Sequence, residues 1–177
     1  MSELWPWGRP LTWPQLVTGE RGLRLVADLE SRSAVARELD LESLTRLVAD
    51  ITTRPWLDGV EIEGRVEATL TRMCGVSLEP FELIADESLK IRVVPAGSPN
   101  APRPGGQEVV VDIEAEDPPD EAYEDVIDLT AYVVEALALS LDPFPRKPGA
   151  VFTPPEPTGP ISPFAVLAKL SRPPSSD

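Results

Sequence analysis

Apolar and polar residues alternate most strictly from Val60 to Thr71. Val60, Ile62, Gly64, Val66, Ala68 and Leu70 share one parity, and Glu61, Glu63, Arg65, Glu67, Thr69 and Thr71 share the other. A period of two with one apolar and one charged face predicts a strand of an antiparallel sheet, packed on one side and wet on the other. The same parity turns Cys74 inward provided no bulge intervenes, and Arg72 on that parity hints at one. A turn at 75–80 joins this strand to a return strand that places Phe81, Leu83, Ala85, Leu89, Ile91 and Val93 on a common face. Upstream, Leu57-Asp58-Gly59 reads as a hairpin turn in which Gly59 supplies the positive φ.

Weaker patterns flank this hairpin. Leu23, Leu25, Ala27 and Leu29 alternate with Arg24, Asp28 and Glu30, and Leu47, Ala49, Ile51 and Thr53 predict a second strand closed by Pro55. Between them Ser33 is the expected N-cap of a short helix ending near Leu39. Residues 95–106 read as a loop by composition, followed by a short strand at Val109, Val111 and Ile113 and an acidic loop. The best helix starts at Asp128 as N-cap. Leu129, Tyr132, Val133, Ala136, Leu137 and Leu141 then recur at helical spacing until Pro143.

That apolar stripe needs an opposing surface, which the sheet supplies. The expected fold is therefore α+β, an antiparallel sheet, partly barrel-like or strongly twisted, with one main helix on its face, across residues 20–142. Residues 1–19 hold Trp5, Trp7 and Trp13 among Pro6, Pro10 and Pro14, and predict an extended arm. Residues 143–177 read as a proline-rich tail. It ends in a short helix at about 163–171, with Ser162 as N-cap and Pro163 at its first position.

Charge changes this picture because it is uneven. The net charge of −14 is concentrated between residues 108 and 128, where ten acidic residues occur and no basic one. They are Glu108, Asp112, Glu114, Glu116, Asp117, Asp120, Glu121, Glu124, Asp125 and Asp128. Elsewhere 20 acidic residues face 16 basic ones. Such a segment repels phosphates and attracts basic partners most strongly at low salt, or else only solubilises the chain. The C-terminal region has the opposite sign, with Arg146, Lys147, Lys169 and Arg172 against Glu156. No apolar stretch has the length of a membrane span, and the first residues lack the pattern of a secretory signal, so the cytoplasm is the expected location.

Candidate chemistry is sparse. The chain has one cysteine and no histidine, which removes imidazole-based triads and imidazole metal ligands. Cys74 is open to four readings, as a nucleophile, a metal ligand, a remnant of a metal site or core filling. A structural zinc site needs four ligands of cysteine or histidine type. Neither phosphate-cradling glycine motif occurs, and Pro118-Pro119 does not fit a calcium loop. Thirty carboxylates leave paired acid–base chemistry open, but no spacing singles out a pair. By elimination the chain reads as a binding or assembly protein without cofactor, membrane partner or small-molecule substrate.

A set of short motifs carries a resemblance. These are Thr53-Arg54-Pro55-Trp56, the segment Cys74-Gly75-Val76-Ser77-Leu78-Glu79-Pro80-Phe81, and Asp128-Leu129. Further on come the segment from Asp142 through Pro143, Phe144, Pro145, Arg146, Lys147, Pro148 and Gly149 to Ala150, and Pro163-Phe164-Ala165-Val166-Leu167-Ala168-Lys169-Leu170. In this order the chain resembles the YceD-like family, the large ribosomal RNA subunit accumulation proteins, in its alphaproteobacterial form. Many relatives carry a Cys-x-Arg-Cys-Leu segment and later cysteines that look like a metal site. Here Cys74 stands at the first cysteine, Ser77 at the second, and residues 142–149 replace the later ones. The resemblance makes Cys74 a remnant and implies a non-enzymatic role in large-subunit biogenesis.

The expected partner is a component of the large subunit, either a basic ribosomal protein or ribosomal RNA. The candidate contact residues are Cys74, Ser77, Leu78, Glu79, Pro80 and Phe81 in the turn. Glu114, Glu116, Asp117, Asp120, Glu121, Glu124 and Asp125 are candidates in the acidic segment, and Arg146 and Lys147 in the tail. The alternative use of the tail is direct contact with ribosomal RNA.

Overall fold

The computed structural model of the protein describes residue 7 and residues 10–102, 117–152 and 154. The expected strand at 109–113, Glu114, Glu116 and the expected helix at 163–171 lie outside the described residues.

In chain order the elements are β1 (Leu11–Thr12), α1 (Trp13–Val17), β2 (Arg21–Val26), α2 (Leu29–Glu38), β3 (Ser43–Trp56), β4 (Gly59–Met73), β5 (Pro80–Pro95), β6 (Asp120–Ala122), β7 (Val126–Ile127) and α3 (Leu129–Ser140). The main sheet has the order β2-β3-β4-β5-β6, and β1 pairs with β7 in a separate ribbon. The fold is α+β as expected, and the sheet is open, with no closure into a barrel. Its pairs are antiparallel except β5 with β6, which run parallel over Val93–Pro95 and Asp120–Ala122. Part of the expected acidic loop is thus a short edge strand.

The strict alternation of β4 is realised residue by residue. Val60, Ile62, Val66, Ala68 and Leu70 are buried in one core with Leu47, Ala49 and Ile51 of β3 and Leu89 and Val93 of β5. Leu16 of α1, Val35 of α2 and Val133 and Leu137 of α3 join the same core, so three helices rather than one cover the inner face. Polar residues of the outer face pair across strands, with Arg24–Asp50, Arg46–Glu67, Arg54–Glu63, Arg65–Asp86 and Arg92–Glu61 as ion pairs. Arg92 also lies over Trp56, 4.9 Å from the ring centroid. Most of these pairs are solvated, and each such pair contributes little to stability.

Several local expectations need correction. The N-cap of α2 is Asp28, whose Oδ1 accepts the Ser31 N–H at 2.8 Å, while Ser33 lies inside the helix and donates to the Leu29 carbonyl. The residues expected to form an extended arm contain α1. Pro14 is tolerated in its first turn because N–H groups there have no helical acceptor. Pro55 does not close β3, which runs on to Trp56. In the hairpin turn Leu57 takes the positive φ of 51°, and Gly59 is required for a different reason, close approach to β5.

No bulge occurs at Arg72, contrary to the hint its parity gave. β4 and β5 stay in continuous register to Met73 and Pro80, while β3 slips between Leu44 and Arg46. The extra residue, Thr45, lets Leu44 and Leu47 both face the core although they are three apart. This odd spacing is why the strand reads from Leu47 in the sequence.

Candidate functional site

Two ends of the long β4–β5 hairpin carry the candidate groups. At one end β4 runs through Met73 into Cys74, whose side chain the unbroken parity turns inward to full burial. The turn that follows is closed by the Cys74 N–H donating to the Glu79 carbonyl at 2.9 Å and the Leu78 N–H donating to the Cys74 carbonyl at 3.0 Å. Leu78 takes a φ of 57° to complete it, and its side chain is 75% exposed. It therefore does not plug the core, and Phe81 is only half-buried.

The thiol is more than a small hydrophobe. Its Sγ accepts the N–H groups of Val76 and Ser77 at 3.4 Å and that of Lys147 at 3.3 Å. The last bond reaches 73 residues along the chain and ties the turn to the segment after α3. Further bonds join the same two loops. The Gly75 N–H donates to the Pro145 carbonyl at 2.9 Å, the Arg72 guanidinium donates to the Asp142 carbonyl, and Lys147 Nζ pairs with Glu79 at 2.9 Å. Together they form a clip between residues 72–79 and 142–147. Arg72 is on the inward parity because it reaches this clip, a role no local pattern reveals.

A metal of the kind the resemblance attributes to cysteine-rich relatives finds one thiol here, surrounded by N–H donors and the Ser77 hydroxyl in place of further ligands. That donor set does not fit a tetrahedral metal site. It fits an anionic sulfur instead. The hydroxyl and N–H of Ser77, then the N–H of Lys147, bring the Cys74 thiol down to about 6, against an opposing contribution from burial.

A group whose pKa is lowered on folding contributes stability that is present above its unfolded value and lost as pH falls through its folded value. Urea unfolding of wild-type and Cys74→Ala proteins is therefore expected to show a stability gap that is widest at pH 9.0 and narrows as pH falls towards about 6. Glu79, held below its ordinary 4.5 by Lys147, adds a separate loss only under more acidic conditions. A gap that does not change with pH would rule out a charged sulfur in the clip.

At the other end, β6 fixes part of the acidic segment against the last residues of β5. Some of its acids serve the fold. Glu121 accepts the Gly97 N–H at 2.7 Å and the Tyr123 hydroxyl at 2.8 Å, which holds its carboxyl below the usual range. Asp128 caps α3 through the Thr130 N–H at 2.9 Å. Asp120 borders a groove between β5 and α3, and partial desolvation raises its carboxyl. In the same groove burial, followed by the charges of Asp120 and Glu135, pushes the Tyr132 phenol up to about 12. Asp117, Glu124 and Asp125 are exposed.

The structure thus brings Cys74, Ser77, Glu79 and Lys147 together and sets Arg146 beside them, exposed to solvent. It places Asp117, Asp120, Glu121, Glu124 and Asp125 at the opposite end. With β5 spanning 16 residues, a strand rise of about 3.3 Å per residue allows at most roughly 50 Å between the ends. Among the described residues no helix is long and apolar enough to cross a membrane.

The molecule is a small α+β protein whose candidate contact groups lie at the two ends of one long hairpin. The chain belongs to the YceD family, described as large ribosomal RNA subunit accumulation protein YceD, whose model matches residues 62–171. The match runs from within β4 to beyond the clip and so includes both ends. Membership ties the chain to accumulation of large-subunit ribosomal RNA. No curated protein and no solved structure matches it.

Proposed function

We propose that this protein supports large-subunit biogenesis by binding rather than by catalysis, and that residues 108–128 hold a basic ribosomal protein before its deposition on RNA. The observation that carries this reading is the acidic end of the hairpin. Asp117, Glu124 and Asp125 stand exposed within residues 117–128, which β6, β7 and the cap of α3 anchor, and no basic residue occurs from 108 to 128. Anchoring matters because charges held in place lose less conformational entropy on binding than charges on a free chain. A dense set of like charges also accelerates encounter with an oppositely charged partner.

Titration of the purified protein with a lysine- and arginine-rich large-subunit protein tests this. Affinity is expected to fall steeply between low salt and about 0.3 M, where screening is short-ranged. Replacing Asp117, Glu124 and Asp125 with their amides is expected to weaken binding by about tenfold or more at low salt. Absence of binding, or binding indifferent to both salt and the substitutions, sinks this reading.

A further inference from the structure

The clip end has features that the acidic end does not explain. Residues 142–152 carry Arg146 and Lys147 against Asp142. Lys147 is paired with Glu79, whereas Arg146 is exposed and makes no ion pair among the described residues. Beside it the Phe144 side chain is 76% exposed and that of Phe152 is 67% exposed. Leu78, across the clip, is exposed as well.

The loop that presents them is rigid. Pro143 and Pro145 fix φ on both sides of Phe144, and the Phe144 N–H donates to Asp142 Oδ1 at 2.8 Å. The Ala150 N–H closes a turn onto the Lys147 carbonyl at 3.0 Å, with Gly149 at a φ of 79°. The sulfur, carbonyl and carboxylate bonds of the clip then hold the whole loop to the end of β4. Aromatic rings set out on a stiff backbone bind without a large ordering cost.

We propose that residues 142–152 form a second binding end, which takes an unpaired RNA strand. Exposed rings offer stacking faces to bases, and the Arg146 guanidinium, unpaired among the described residues, offers a contact for phosphate or a base plane. This end lacks the surplus of carboxylates that attracts a basic protein, so it and the acidic end select different partners. Their separation along the hairpin keeps the opposite charges from neutralising each other. The molecule then bridges RNA and a basic protein. The bridging role rests on the protein contact proposed above, whereas the RNA end does not.

Fluorescence anisotropy of the full chain with a labelled, unstructured oligoribonucleotide of about 12 residues tests the RNA end. Low-salt binding is expected, and Phe144→Ala and Arg146→Ala are each expected to weaken it by about fivefold or more. Both variants should keep the wild-type melting temperature and the wild-type affinity for the basic protein, since both side chains are exposed. A duplex of the same sequence is expected to compete poorly, because its bases are not available for stacking. No RNA binding, equal binding by both variants, equal competition by the duplex, or capture of an acidic peptide through Phe144 in place of RNA overturns the assignment. Loss of basic-protein binding with RNA binding intact removes the acidic-end reading and leaves this one standing.

Discussion

Gly59→Ala is expected to destabilise the protein by about 3 kcal/mol, a large part of the stability of an ordinary domain. A Cβ at this position would lie 2.1 Å from the Val93 carbonyl oxygen and 2.9 Å from Val94 Cγ1. The first neighbour is backbone of the adjacent strand, so no rotamer change relieves the clash. Relief requires β4 and β5 to separate where they join the acidic end, because Val60 pairs with Val93 and β6 pairs with Val93–Pro95. Chemical unfolding of the variant, or its failure to accumulate as soluble protein, reads the effect. A midpoint within error of wild type would show that the hairpin is less tightly built than these distances require.

The second large effect is expected from Leu137→Ala, at about 2–5 kcal/mol. Leu137 is fully buried, and α3 packs against β4 and β5. Truncation removes apolar burial and leaves a cavity that the sheet beneath cannot close. Leu139, two residues further along the same helix, is 80% exposed. Leu139→Ala is accordingly expected to change stability by no more than about 0.5 kcal/mol. Equal costs for the two would mean that α3 is not seated as described. Because α3 leads directly into the clip, the Leu137 variant is also expected to loosen residues 142–147. Faster amide exchange of the Lys147 N–H relative to β4 amides would report it.

Much of the sheet is legible without coordinates because its signal is local. From Val60 to Leu70 each residue faces the side its parity assigns, and Asp128 caps α3 as its residue type and position require. Where local rules competed, the outcome was not legible. Leu44 and Leu47 break the two-residue period because Thr45 is accommodated as a bulge. Asp28 displaces Ser33 as helix cap, since the chain leaves β2 in time for the earlier residue to reach the free N–H groups. In the hairpin turn Leu57 takes the strained conformation because Gly59 is needed beside Val93, where no side chain fits.

The candidate site divides in the same way. The acidic segment is visible as a run of carboxylates, but which of them remain exposed depends on Gly97, Tyr123 and Thr130 as hydrogen-bond partners. Cys74 is visible as an inward residue at a strand end. Its treatment as a remnant and a small hydrophobe misses the polar environment, because the Lys147 N–H that completes it is 73 residues away. In the sequence Phe144 is one residue of a proline-rich tail, and its exposure follows only from how that tail is docked.

Alternation, capping residues and charge counts act between near neighbours, so they suffice to read an α+β chain with a long hairpin, a core helix from Asp128 and two regions of opposite sign. It took packing to set Asp117, Glu124 and Asp125 at one end of that hairpin and Arg146 and Lys147 at the other, where sulfur, carbonyl and carboxylate groups hold the loop in place. Those contacts join segments about seventy residues apart. Their free energy exists only once the intervening strands and helix have paired and packed, and no local pattern encodes it.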